Sequence, residues 1–482
     1  MDLEHASVTR LRCLAPNDSM VSPTPERVRF YTFGCKANQY DTQTLRAALL
    51  RRGLAESQRE AELVVINTCT VTAEAGRKAR QLVRRLAREK PDCRIAVTGC
   101  LAESEPELLR TLPNVEWVLG NGEAKRPVNF LRELGFDVDP EELGIPAGIT
   151  EFVGHTRAFL KIQDGCDMSC AFCIIPSVRG ASRSRSIEEL THEVECLLLS
   201  GHREIVLCGI HIGHWGRELD QDLGVLLDEL CRISVRDSLE REIDWRLRLS
   251  SIEATEVSGA VLEAMSRHPR RIAAHLHMPM QSGDDDVLRR MNRWYDSAEY
   301  LANCARIRQT LDRPAFTADL LVGFPGEDDR AFENTLATVR EAGFCRIHVF
   351  PFSPRPGTAA ENPAKLGGAV DPMAVRERRA ALSELASELG QEYRRSLSGL
   401  RETLVLEGTI GLCGRYQRVR IPSEAYETAE IPLEGLWDCE IVPTEKASSG
   451  PLQAPKAQGA AVTPEIELIA RPLAHAKEIA IP

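Results

Sequence analysis

Nine residues, GCDMSCAFC, constrain this chain more than any other stretch. They set Cys166, Cys170 and Cys173 at CxxxCxxC spacing directly after an apolar, strand-like run, RAFLKIQ. Three thiolates so close together can share one metal group only if the chain doubles back there in a loop. A loop at the C-terminal end of a strand is where β/α barrels carry their chemistry. A closed zinc site would want a fourth ligand, commonly from a second CxxC knuckle, and the chain has no second CxxC. Inert burial disagrees with the polar loop text on either side, GCDMS and PSVRG.

Three thiolates can hold three irons of a 4Fe–4S cube and leave the fourth open. An open iron can chelate the amino and carboxylate groups of S-adenosylmethionine (SAM), whose reductive cleavage yields a carbon radical. The rest of the chain is read against that possibility. Its 482 residues suggest about three domains at roughly 150 residues each. Fifteen cysteines, an odd number, in a large chain whose first residues lack an apolar signal core do not look like a disulfide framework. They suit metal or cluster ligands in a reducing compartment, and the expected location is the cytoplasm. No apolar run approaches the roughly 18 residues of a membrane span. The net charge of −11 speaks mildly against nucleic acid, but phosphate contacts need only a local basic surface.

Residues 1–26, polar with three prolines, read as a poorly ordered lead-in. In residues 27–137, RVRFYTFGC, ELVVINTC and RIAVTGC are strands, each followed by a helical stretch, so a small parallel sheet with covering helices is expected. A Pro- and Gly-rich crossover follows. Residues 152–396 hold six strand candidates: RAFLKIQ, EIVLCGI, RLRLSSIE, AAHLHMPMQ, FTADLLVGF and RIHVFPF. Six units suit a partial (β/α)6 barrel better than a closed eight-unit one. Residues 397–445 show short alternating strands, as in a small β-barrel. Residues 446–482 read as a flexible extension, with one further strand possible around EIELIARPL.

Cys35, Cys69 and Cys100 each end one of the first three strands. In a parallel sheet all such ends lie on one edge, where open α/β folds bind ligands. The three can therefore converge without a local motif, or they can simply pack beneath helices as free cysteines often do. For SAM the candidates are Gly209, His211, Ser251, Glu253 and Gln281, all at ends of later barrel strands; each could equally be a packing residue. For RNA the candidates are Arg415, Tyr416, Arg418 and Arg420 in the last domain, a basic and aromatic mix, or a solvated edge. A second basic strip, Arg77, Lys78, Arg80, Arg84, Arg85 and Arg88, follows Cys69 and is either an RNA contact or a wet helix face. Arg179, Arg183 and Arg185, just past the cysteine loop, could reach phosphates or SAM.

The CxxxCxxC loop on a six-unit barrel resembles the radical SAM superfamily. IQDGCDMSCAFCIIPSVRG, LHMPMQSGDDDVLRRMNR, DLLVGFPGE and FPFSPRPGTAA, in this order, resemble its methylthiotransferase branch. That resemblance implies two 4Fe–4S clusters, one on Cys166, Cys170 and Cys173 and an auxiliary one on Cys35, Cys69 and Cys100 that carries the inserted sulfur. It implies two uses of SAM, one to methylate sulfur and one to generate the radical. It also implies a TRAM-like tRNA-binding β-barrel at the C-terminus, and an electron donor such as a flavodoxin or ferredoxin. Three segments, FGCKANQYDT, NTCTVTAEAGRK and SSIEATE, follow the branch that modifies N6-threonylcarbamoyladenosine at tRNA position 37. Sister branches modify isopentenyladenosine or a ribosomal-protein aspartate; the remaining alternatives are a non-catalytic tRNA-binding scaffold and a radical SAM enzyme that performs methylation or another insertion without sulfur transfer.

Overall fold

The computed structural model describes residues 25–138, 148–422, 435–443 and 468–472. Most of the lead-in and most of the C-terminal extension anticipated from sequence lie outside the described residues.

The first unit is a five-stranded parallel sheet in the order β2-β1-β3-β4-β5. Its strands are β1 (Arg27–Thr32), β2 (Ala55–Glu56), β3 (Leu63–Thr68), β4 (Arg94–Gly99) and β5 (Val115–Leu119). Helices α1 (Lys36–Arg51) and α2 (Ala73–Glu89) connect the strands, and α3 (Cys100–Ser104), α4 (Pro106–Arg110) and α5 (Pro127–Glu133) follow β4 and β5. Val64, Ile66, Ile95 and Val97 pack on one face with Leu82 and Val83 of α2, while Leu63, Val65 and Ala96 pack on the other with Leu45 and Phe130. A sheet covered on both faces explains why β3 is buried along its whole length and runs apolar from Leu63 to Ile66 instead of alternating. Sequence reading expects three strands here. The two extra ones are the sheet edges: β2 has only two residues, and most of β5 is half-exposed, so neither carries a strong apolar signature.

The second unit follows in β/α order, with strands β6 (Ala158–Lys161), β9 (Glu204–Cys208), β10 (Arg246–Leu249), β11 (His275–His277), β12 (Ala315–Val322) and β13 (Arg346–Pro351). A short ribbon of β7 (Gln163–Asp164) and β8 (Arg183–Ser184) flanks the cysteine loop, and α6 (Ile175–Arg179) lies between them. Two three-stranded parallel sheets, β6-β9-β10 and β11-β12-β13, are stitched by bridges Leu247–Ile272 and Ser251–His277 into one six-stranded wall. This is the partial barrel anticipated from six strand signals. Leu247, Leu276, Phe316, Ala318 and Leu320 point outward into the core shared with the helices. By the period-two rule, Arg246, Arg248, His275, His277, Thr317, Asp319 and His348 point into the lumen.

A closed five-stranded barrel ends the fold, ordered β14-β15-β16-β18-β17. It comprises β14 (Arg401–Glu407), β15 (Ile410–Cys413), β16 (Arg418–Arg420), β17 (Leu436–Pro443) and β18 (Leu468–Pro472). The sequence boundary at 445 is corrected here: the segment placed in a flexible extension supplies β18, which pairs with both β16 and β17. No helix among the described residues is long and apolar enough to cross a membrane.

Candidate active site

Cys166, Cys170 and Cys173 occupy the loop between β7 and α6, and all three are partly buried. Gly165 makes the loop possible. Its φ is +76°, and a Cβ there would collide with the Ala181 carbonyl. Cys166 N–H donates to Gly180 O (3.0 Å) and Ala171 N–H to Met291 O (2.8 Å), which fixes the loop at both ends. Arg293 Nη1 donates to Cys170 Sγ (3.3 Å), and His211 Nδ1 lies 3.4 Å from Cys166 Sγ. Burial pushes the Cys173 thiol up to about 11, and the neighbouring Cys170 and Cys166 push the same way. Burial raises the Cys170 thiol as well, and buried thiols of this kind resist ionising unless a cation binds them. A donor set of mutually coupled thiols with N–H groups aimed at two of the sulfurs fits an iron–sulfur cluster.

The strand-end cysteines meet as the parallel sheet requires. Cys35 caps α1, Cys69 follows β3 and Cys100 opens α3; their strands β1, β3 and β4 are adjacent. Gly34 (φ +102°) lets the first turn close on the second, since a Cβ there would stand 2.7 Å from Cys69 Cβ. Asn121 Nδ2 points at Cys100 Sγ (3.6 Å) and the Val71 N–H at Cys69 Sγ (3.4 Å). Burial lifts the Cys69 thiol to about 11, with Cys100 and Cys35 adding to the rise. Three sulfurs brought to one sheet edge, two of them with N–H groups aimed at them, form a second donor set whose chemistry fits an iron–sulfur cluster.

The two sets are physically joined. Helix α6 begins two residues after Cys173 and ends at Arg179, whose side chain reaches into the first unit. It donates to Asn38, pairs with Asp41 (3.2 Å) and Asp164 (2.7 Å), and lies within the electrostatic reach of Cys100 and Cys35. Asp41 also holds Lys125 (2.8 Å) and Lys161. These three cations face two carboxylates, a surplus of one positive charge beside the first triad. The surplus suits a site that must keep thiolates ionised. Asp41 is held below the usual carboxylate range; burial opposes this, but the three cations overcome it. Sequence reading missed Asn38, Asp41, Lys125, Asn121 and Arg293. The only signal available was local: Asn38 and Asp41 recur at helical spacing on α1, just after Cys35.

Of the SAM candidates, three connect to the CxxxCxxC loop. Gly209 fits against Gln163, whose Oε1 accepts from His211 N–H (2.8 Å). His211 touches Cys166, and its Nε2 lies 2.7 Å from Glu256. Glu253 pairs with Arg293, the donor to Cys170; burial raises its carboxyl and Arg293 counters. Ser251 and Gln281 sit further round the wall, Ser251 bridged to His277 and Gln281 to Leu320.

Two family descriptions match the chain, Uncharacterized protein family UPF0004 over residues 27–120 and Radical SAM superfamily over 160–339. A threonylcarbamoyladenosine tRNA methylthiotransferase MtaB of Bacillus subtilis is 37% identical over 76% of this chain and 81% of its own length. This chain is a radical SAM methylthiotransferase. The Thermotoga maritima enzyme of the same name is 34% identical over 80% of this chain and 88% of its own length. A tRNA-2-methylthio-N(6)-dimethylallyladenosine synthase of Frankia alni is 37% identical over 78% and 77%. In fold, the radical SAM methyltransferase TsrM of Kitasatospora setae superposes with a TM-score of 0.51 at 12% identity, covering 79% of this chain and 78% of that one. Methylthiotransferases of this family use SAM and two 4Fe–4S clusters.

The methylthiotransferase's terminal barrel spends two of its RNA candidates elsewhere. Arg415 pairs with Glu402 and with Asp312 (3.1 Å), and it donates to the carbonyls of Arg313 (3.0 Å) and Asp312 (2.9 Å). Tyr416 stacks on His275 at 4.3 Å between ring centres. Nearby, Arg246 and Arg248, bound to buried Glu204, donate to the carbonyls of Thr403, Leu412, Cys413 and Gly414. Arg415 therefore docks the barrel onto the segment just before β12, and Tyr416 docks it onto β11, instead of standing free for RNA. Arg418 is exposed and Arg420 half-exposed. The expected result is a split: Arg418→Ala weakens tRNA binding and lowers its salt slope by about one, whereas Arg415→Ala lowers the melting temperature. Filter binding across a salt series and a thermal melt check both. On α2, Arg77 and Lys78 pair with Glu74, Arg80 with Glu105 and Arg85 with Glu89, which leaves Arg84 and Arg88 as the exposed arginines of that strip without an acidic partner among the described residues.

Proposed function

We propose that this enzyme methylthiolates C2 of N6-threonylcarbamoyladenosine at position 37 of tRNA, in the cytoplasm, with electrons from a small donor such as a flavodoxin or ferredoxin. The observation that carries the reading is the convergence of two three-cysteine sets joined through α6 and Arg179. One set alone would serve a radical enzyme; two are needed where sulfur must be held ready as well. The likeness to enzymes bearing the threonylcarbamoyladenosine name supports the substrate.

In this reading Cys166, Cys170 and Cys173 hold the cluster that binds SAM, and Cys35, Cys69 and Cys100 hold the auxiliary one. When bound, these groups supply reductive cleavage of SAM and the sulfur to be transferred. The protein contributes position and charge. Arg293 ties Cys170 to Glu253 and so fixes the loop against the wall of the barrel. The Asp41 network ties the first unit to the barrel, so that groups held by the two cysteine sets would be kept in a fixed relation, as near-attack positioning requires. The docked barrel presents Arg418 for the tRNA backbone.

Mass spectrometry of nucleosides from cells with and without the gene tests the proposal. Loss of 2-methylthio-N6-threonylcarbamoyladenosine with accumulation of its precursor is expected. A change in the isopentenyl derivative instead would move the substrate to the sister branch, and no change in either nucleoside would overturn the function.

A further inference from the structure

One side chain touches both cysteine sets' surroundings, and the fold holds it from several directions. Asn121 follows β5 at the sheet edge where the strand-end cysteines meet. Its backbone N–H donates to Glu103 Oε2 (2.8 Å) on α3, the helix that Cys100 opens. Its Nδ2 donates to the Val178 carbonyl (2.7 Å) on α6, the helix that follows Cys173, and points at Cys100 Sγ (3.6 Å). Its Oδ1 accepts from Lys125 Nζ (3.1 Å). An ammonium only donates and a carbonyl only accepts, so these two partners fix which end of the amide carries the hydrogens. The end aimed at the sulfur is therefore a donor. The partners are fixed in turn: Lys125 is bound to Asp41 (2.8 Å), Asp41 to Arg179 (3.2 Å), and Arg179 is the residue after Val178. The contacts close a ring in which Lys125, Asp41 and Arg179 are all buried.

We propose that Asn121 is a positioning residue for the auxiliary set: its amide raises the reduction potential of the group held by Cys35, Cys69 and Cys100, while its bond to Val178 ties Cys100 to the barrel's cysteine loop. This rests on the function proposed above, which assigns a 4Fe–4S cluster to each set. A hydrogen bond to a ligand sulfur stabilises the more negative, reduced state and so lifts the potential. The donor is a neutral amide, so the effect needs no change of protonation. Cys166 and Cys170 have contacts of their own, with His211 and Arg293, so the effect belongs to one set only.

Redox titration of the reconstituted full-length enzyme, followed by electron paramagnetic resonance, reads a potential for each cluster. The variant with Cys35, Cys69 and Cys100 replaced by alanine keeps the barrel set alone and identifies which potential is which. In Asn121→Leu the reduction constant of the auxiliary cluster should fall about tenfold, the order of one hydrogen bond, which is about 60 mV for one electron. Asn121→Asp keeps the shape and the Lys125 contact but turns an acceptor toward Cys100, and should move the potential further the same way. The barrel potential should stay in place in both, whereas a general loosening would move both or neither. A second reading needs no substitution at Asn121, so misfolding cannot hide the answer. Enzyme carrying asparagine labelled with the heavy nitrogen isotope in its side-chain amide should show a nitrogen coupling at the reduced auxiliary cluster. Asn38 and Asn67 nearby give their amide hydrogens to carbonyls and to Thr42, not to a sulfur. Absence of that coupling, or an auxiliary potential unmoved in both variants, overturns the inference and leaves the function intact. Retention of about eight irons by the triple alanine variant would overturn the cluster assignment beneath it.

Discussion

Replacing Cys35, Cys69 and Cys100 together by alanine should halve the iron of the reconstituted enzyme, from about eight atoms to about four. SAM cleavage to 5′-deoxyadenosine should survive, and no methylthio product should form. The mirror variant, with Cys166, Cys170 and Cys173 replaced, should also hold about four irons but lose SAM cleavage altogether. The asymmetry follows from the fold: the first triad lies on the edge of a separate sheet with its own two cores, so losing its metal group leaves the barrel loop intact. Iron analysis with product chromatography reads both variants. If either triple variant retained about eight irons, the ligand assignment would be wrong.

The second large effect is expected at Asp41, which bonds to no cysteine of either set among the described residues. Its side chain is 5% exposed and faces Lys125, Lys161 and Arg179, the last only 1% exposed. Asp41→Ala would leave buried Lys125 without its carboxylate and Lys161 and Arg179 with Asp164 alone, a change worth about 3–5 kcal/mol in comparable buried pairs. The first unit should loosen from the barrel: a lower melting temperature, loss of auxiliary iron on dilution, and methylthiolation falling while SAM cleavage persists. Asp41→Asn, which keeps hydrogen bonds but not charge, should fall between. The pH dependence has a definite sign. A carboxyl held below its ordinary value stabilises the fold fully above the ordinary carboxylate range and loses that contribution only as acid approaches the lowered value. The joint should therefore hold through the neutral range and fail only in strong acid. A variant as stable and as active as the wild type would show that the network does not position the domains.

These two expectations differ in how far the sequence foretold them. The cysteines were legible because their chemistry coincides with local grammar: each of Cys35, Cys69 and Cys100 ends an apolar run and begins a turn, and parallel pairing does the rest. The barrel was legible for the same reason, since its six strands are short apolar runs between helical text. The Asp41–Arg179 pair spans 138 residues of sequence, and no local pattern marks which aspartate a distant arginine will meet. Arg415 and Tyr416 were misread for a related reason. A basic, aromatic strand is equally suited to phosphates and to a neighbouring domain's carbonyls, and composition cannot tell which surface arrives first. Asn121 was hidden too, because its partner on α6 stands 57 residues further along the chain.

The terminal barrel has a temporal consequence. Its closing strand, residues 468–472, follows every other described strand in the chain, and among the described residues it alone joins β16 to β17. During synthesis, therefore, the first two units can be complete while β16 and β17 still present bare edges, and such edges invite pairing with other chains. The barrel docks through β14 and β15, which are made earlier, so β10 and β11 can shelter the open barrel before it closes. A chain released before residue 468 would hold all six cysteines of the two sets and still be prone to aggregate.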